Sequence, residues 1–346
     1  MKSSIEKLER FIVIRSDGKK EEHIGIDLLK NAEKKDICKK HIFDWCIKQS
    51  FIEGNPFITG RTLKGNKDCF GFYISKYNTV YNRYFSDKKI DFKSYLSKKI
   101  IERYEPENKK TSGNEFSSGK FYSVASSSRF VVSSFTENNT KEKLDYIRTI
   151  KINGKQELIK FIEFEHDTEV DANLFRTPKL DVYFETEDNN VYFIEAKCHE
   201  IFESHKLIKI SKSYLNTESF KELGLNLEII CHAKDNSGKE IHFAFEDFGC
   251  NGITTFHFDT KQFLCHLMGI LTYARRTDNK NKKIHFYYLF FKNNFYAENY
   301  NNKIYKELEK EVKIIFAVFR EKFPNIDFGF CYNDKYCTLK ELKSEF

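Results

Sequence analysis

The chain has 346 residues, 40% hydrophobic and 16% aromatic, and carries 58 Lys and Arg against 51 Asp and Glu for a net charge of +7. That apolar content supports a folded core and excludes wholesale disorder, and the length suits about two domains. No apolar run approaches the ~18 residues of a membrane span, and 4 Pro and 15 Gly exclude collagen-like and proline-rich linker classes.

The 9 cysteines form no C-x-x-C pair, which argues against a disulfide framework or a zinc ribbon. Reduced core thiols are the expectation. Cys38, His41 and Cys46 have the look of half a metal site, but no second half has matching spacing. Glu6, Glu9 and Arg10 interrupt any leader-like apolar segment, so a cytoplasmic protein with no membrane attachment is expected. The charge is uneven. Residues 1–120 hold 26 Lys and Arg against 17 Asp and Glu, a net of +9, and the remainder carries −2. A basic first part suggests an anionic partner, although a Lys-rich surface also serves solubility.

In chain order, Phe11 to Arg15 reads as a short strand and Ile26 to Phe51 as one or two Lys-rich helices. Residues 54–90 read as loops and short strands, and Ile90 to Tyr104 as a basic helix. Polar Glu105 to Gly119 is the linker candidate. It divides a basic N-terminal region, 1–110, from a second domain, 120–346. Within the latter, Ser126 to Phe135 is expected to be helical. Leu158 to Phe164, Leu180 to Phe184 and Val191 to Ala196 read as strands, the last two joined by a turn at residues 186–190. Further strands are expected at Leu227 to His232 and Ile241 to Phe245. Thr260 to Arg275 has a helical apolar stripe, Ile284 to Phe291 suits a buried strand, and Lys303 to Phe323 reads as an amphipathic helix stopping before Pro324.

One stretch carries chemistry: Pro178-Lys179-Leu180-Asp181, thirteen residues, then Glu195-Ala196-Lys197. If the turn centres on Asp188, Asp181 lies opposite Glu195, Tyr183 opposite Phe193 and Glu185 opposite Val191. Opposed residues of an antiparallel pair share a face about 5 Å apart, and Glu195 and Lys197, two apart, share it too. Two carboxylates and an ammonium thus converge on one point. A one-residue change in the turn destroys the arrangement. Carboxylates so placed repel unless a proton or cation intervenes. Oxygen ligands favour a hard cation such as Mg²⁺, with Mn²⁺ tolerated and the Ala196 carbonyl as a third ligand. Such an ion polarises a phosphodiester and lowers the pKa of a bound water, and Lys197 is placed to orient that water. The alternative is an ordinary charged hairpin. The apolar Phe193 and Ile194 weigh against it, because Glu and Lys in such a strand are costly unless used.

At these residues the chain resembles the PD-(D/E)XK nuclease superfamily, in its restriction-endonuclease-like branch. The resemblance rests on TPKLDVYF (Thr177 to Phe184) and FIEAKCHE (Phe193 to Glu200), with support from SSSRF (Ser126 to Phe130) and QFLCHLMG (Gln262 to Gly269). It covers about residues 121–330. It implies an α/β fold with an αβββαβ core, a central mixed sheet flanked by helices, in a nuclease domain spanning 120–346. Asp181 and Glu195 would hold the metal and Lys197 would assist the nucleophilic water. Two residues separate Pro178 from Asp181, and the helix at 126–135 lacks the acidic residue that many members add there. Glu163 or Glu165 is the candidate substitute. Glu200, Gln262 and His266 are further candidates beside the site; the last two are i and i+4 on one helix and share a face. The expected activity is Mg²⁺-dependent hydrolysis of double-stranded DNA by a homodimer, in restriction or another phage-defence role, with residues 1–110 contributing DNA contacts. The alternatives are a catalytically silent DNA-binding protein on the same fold, or a nuclease for RNA or single strands.

Overall fold

Runs such as NVYFIEAK and KIHFYYLFF, dense in β-branched and aromatic residues, form adjacent interior strands of a large sheet. The computed structural model describes residues 11–14, 20–23, 57–61, 70–74, 96–104, 116, 121, 126–138, 143–170, 177–198, 200–202, 208–211, 214, 216–224, 227–230, 240–245, 257–292, 302–333 and 338–346. The helices expected within 26–51, the Cys38/His41/Cys46 group and nearly all of the linker candidate lie outside the described residues. The chain divides into two compact units, one of residues 1–147, 291–300 and 333–339, the other of 148–290, 301–332 and 340–346.

In the first unit, β1 (Phe11–Ile14) pairs antiparallel with β2 (Lys20–His23), and β3 (Phe57–Arg61) with β4 (Phe70–Ile74). Helix α1 (Lys98–Tyr104) starts later than the expected basic helix. Helix α2 (Ser127–Ser134) follows the expected span closely. The Ser126 hydroxyl accepts the Arg129 N–H at 3.2 Å, a standard N-cap. The short strands β5 (Thr136–Asn138) and β6 (Leu144–Tyr146) pair with each other.

The second unit holds a seven-stranded mixed sheet. In chain order its first four strands are β7 (Thr149–Ile152), β8 (Lys155–Asp167), β9 (Lys179–Thr186) and β10 (Asn190–Lys197). A three-stranded antiparallel sheet follows, of β11 (Ile208–Ser211), β12 (Leu227–Ile230) and β13 (Glu240–Phe245), with helix α3 (Glu218–Leu223) between its first two strands. Then come helix α4 (Thr260–Arg275), β14 (Lys283–Phe291), helix α5 (Asn302–Lys322), β15 (Ile326–Asn333) and β16 (Glu341–Leu342). The large sheet has the order β15-β14-β10-β9-β8-β7-β16. Strands β7 to β10 form an antiparallel meander, whereas β14 runs parallel to β10. A parallel neighbour requires a crossover, and α4 lies within it. Sequence reading stopped β8 short at both ends and missed β7, β11, α3, β15 and β16. β16 has two residues and β7 four, too short for periodicity to mark.

Helices α4 and α5 share an aromatic core with β14 and β15. Phe263 stacks on Phe286 at 5.3 Å and on Phe316 at 5.6 Å, and Phe328 packs against both Phe286 and Phe316. At Gly269 a Cβ would lie 2.5 Å from the Thr168 Cβ, so only glycine lets α4 approach the end of β8 this closely. Cys198, Cys265 and Cys331 are buried free thiols, as expected of core cysteines. No helix among the described residues is long and apolar enough to cross a membrane.

Candidate active site

The hairpin that carries the motif has the register read from the sequence. Val191 pairs with Glu185, Tyr192 with Phe184, Phe193 with Tyr183 and Ile194 with Val182. Asn189, with φ of 59°, closes the turn in a left-handed conformation that asparagine tolerates. The next pair in this register is Glu195 with Asp181. There the Ala196 N–H donates to the Asp181 Oδ2 at 2.8 Å, a side-chain bond at the point where the regular pairing stops.

Glu195 and Lys197 are 2% and 8% exposed, so both charges are withdrawn from water. Each is compensated. Lys197 Nζ donates to Glu195 Oε1 at 2.6 Å, and Gln262 Nε2 donates to the same oxygen at 2.7 Å. The His266 Nε2 lies 3.3 Å from Glu195 Oε2 without an aligned hydrogen bond. Helix α4 thus brings both of its candidate residues to one carboxylate, one turn apart.

The electrostatics separate the two acids. Burial pushes the Glu195 carboxyl up, but Lys197 and then His266 outweigh it and hold the group at about 2. Asp181 goes the other way. Burial and then repulsion from Glu195 raise it well above the usual carboxylate range; Lys197 opposes this and Glu165 adds to it. Burial disfavours the Lys197 ammonium, yet Glu195, Glu200 and Asp181 together keep it protonated beyond the ordinary lysine range.

The remaining candidates are distributed as follows. Glu165 adds negative potential at Asp181 and has a left-handed backbone, φ 49°, at the matching level of β8. Glu163 is engaged by His166 Nδ1 at 2.7 Å, and His166 stacks on Tyr183 at 4.1 Å. Glu200 accepts the Cys198 N–H at 2.9 Å and acts on Lys197 through its charge. Sequence reading missed Tyr288. It lies beside Glu195 in the parallel register, is fully buried, and its hydroxyl has no hydrogen bond. Only the β10–β14 pairing reveals it, and no short turn fixes that pairing in the sequence.

Among the described residues no group of three or more His, Cys, Asp or Glu side chains is arranged to hold a metal ion. The oxygens a hard cation would have to use are fewer: Asp181, whose carboxyl is repelled by its neighbour, Glu195, whose Oε2 makes no hydrogen bond, and the Ala196 carbonyl. Set against protein-family models, curated proteins and solved structures, the chain matches none.

Proposed function

We propose that the chain is a Mg²⁺-dependent endonuclease that hydrolyses phosphodiester bonds of double-stranded DNA, of the PD-(D/E)XK type. One observation carries this reading: Asp181, Glu195 and Lys197 converge where a buried hairpin ends, with the Glu and Lys withdrawn from water and paired at 2.6 Å. Within the second unit, β8, β9, β10, α4 and β14 follow one another in that relative order, with β14 parallel to β10, which supports the βββαβ part of a restriction-endonuclease-like core.

Asp181, Glu195 and the Ala196 carbonyl would hold the ion. When bound, Mg²⁺, or Mn²⁺ in its place, supplies a polarised phosphodiester and a more acidic water. Lys197 stays an ammonium beside Glu195, so it orients the attacking water and favours the developing negative charge on phosphate. Gln262 and Lys197 together fix one oxygen of Glu195. The +9 charge of residues 1–120 suits contacts to the phosphate backbone. A cut through both strands favours a homodimer, since each chain supplies one such centre. Restriction or another phage-defence role in the bacterial cytoplasm is consistent with these features.

Cleavage of supercoiled plasmid with and without Mg²⁺ tests this. Wild type is expected to nick and linearise the plasmid, and Asp181→Ala and Lys197→Ala to lose at least about a hundredfold in rate. Wild-type rates in both variants would remove this centre from the reaction. Salt-sensitive duplex binding without cleavage under any divalent metal would leave a silent DNA-binding protein on the same fold. Matched single-strand and RNA substrates decide the substrate class.

A further inference from the structure

Four buried polar atoms of the second unit, on three residues of neighbouring elements, make no hydrogen bond: Glu195 Oε2, both ring nitrogens of His266 and the Tyr288 hydroxyl. Most buried polar atoms in folded proteins are satisfied, so a cluster of exceptions calls for a role. Each orphan costs stability. An apolar Phe or Leu at either position would avoid that cost, yet the chain keeps both polar groups here.

The geometry gives these atoms a common target. His266 Nε2 is 3.3 Å from Glu195 Oε2. Tyr288 is the β14 neighbour of Glu195, side by side in a parallel ladder and therefore on the same face. The inner oxygen of Glu195 is already fixed by Lys197 and Gln262. Oε2 is thus the oxygen left for chemistry, and its direction is the one still to be set.

We infer that Tyr288 and His266 are positioning residues that together aim the Oε2 of Glu195, one from β14 and one from α4. This deepens the nuclease reading and rests on it for the use of that oxygen. The coupling of these side chains to Glu195 can be tested without it. Tyr288 does not touch substrate; it acts through the carboxylate. His266 does the same from one turn beyond Gln262.

The experiment uses the full chain with Tyr288→Phe, His266→Leu, His266→Gln and Glu195→Gln, alone and combined. Two measurements are made: thermal melting, and Mg²⁺-dependent plasmid cleavage resolved into kcat and KM. Tyr288→Phe removes one oxygen and is expected to melt at or above the wild-type temperature while kcat falls about tenfold and KM stays put. His266→Leu should show the same split, and His266→Gln, which restores an N–H near the Nε2 position, should recover most of kcat. In melting, the shift caused by Tyr288→Phe should differ by about 2 °C or more between the wild-type and Glu195→Gln backgrounds. Additive melting shifts overturn the inference, as does wild-type turnover in Tyr288→Phe. If the wild type cuts no nucleic acid, the nuclease reading fails, and the melting cycle alone still decides whether these side chains are coupled to Glu195.

Discussion

At the scale of single residues, the site sets stability against function. Asp181 sits in the repulsive field of Glu195, and its carboxyl is raised well above the usual range by burial and by that neighbour. A carboxylate whose folded pKa is raised lowers stability at any pH above its unfolded value, near 4, and the deficit vanishes as pH falls below it. Asp181→Asn keeps an oxygen for the Ala196 N–H and removes the charge. It is expected to stabilise the protein by about 1 kcal/mol at pH 7, with the gain fading toward pH 4, and to abolish metal-dependent cleavage. Urea denaturation of both proteins across that pH range reads the effect. A less stable Asp181→Asn at pH 7 would mean that the acid's role is structural. Glu195, held at about 2, has the opposite sign: the stability it contributes is full above about 4.5 and lost toward pH 2.

At the scale of elements, the hairpin was legible and its neighbours were not. A turn fixes register locally, so two of the four observed pairs, Tyr183 with Phe193 and Glu185 with Val191, and the level of Asp181 against Glu195, follow from where residues 187–189 must bend. The β10–β14 pairing depends on a long crossover, and nothing short in the sequence sets which residue meets Glu195. Tyr288 was therefore invisible, although its strand was readable. Gln262 and His266 were readable as one helix face, but what that face meets is decided by how closely α4 packs. Gly269 decides it. A Cβ there would press on the Thr168 Cβ at 2.5 Å and on the Thr168 carbonyl at 3.0 Å, with backbone among the atoms that must move. Gly269→Ala gains about 1 kcal/mol of helix propensity and loses more to overpacking, so a net cost of about 1–2 kcal/mol is expected in urea denaturation. The displaced helix should also withdraw Gln262 and His266 from Glu195 and lower turnover. Wild-type stability with wild-type turnover would show that α4 has room to spare.

At the scale of the whole molecule, the working face and the supporting face of the large sheet carry different chemistry, and they respond to acid separately. Glu195, Tyr183 and Phe193 face α4. Tyr192 lies on the other side, stacked between Phe184 at 4.6 Å and His285 at 4.3 Å. That ladder ends on Asp327 of β15, which accepts from Tyr287 at 2.8 Å, contacts His285 Nδ1 at 2.9 Å and lies 3.5 Å from Arg320 of α5. It joins β14, β15 and the last long helix. Burial pushes the Asp327 carboxyl up, but His285 and Tyr287, with Arg320 behind them, outweigh burial and hold it below the usual range. A depressed carboxylate adds stability above its unfolded pKa, and that stability is lost as pH falls through the folded one. Asp327→Asn should therefore cost about 1 kcal/mol at pH 7, a figure discounted for a side chain that is 43% exposed. The cost should shrink below about pH 4, where the wild type also loses its charge. Because the residue lies on the face away from Glu195, plasmid cleavage at pH 7 should match the wild type under conditions where both are folded. A loss of cleavage at full folding would couple the two faces, and a pH-independent cost would assign Asp327 a packing role in place of the ionic one.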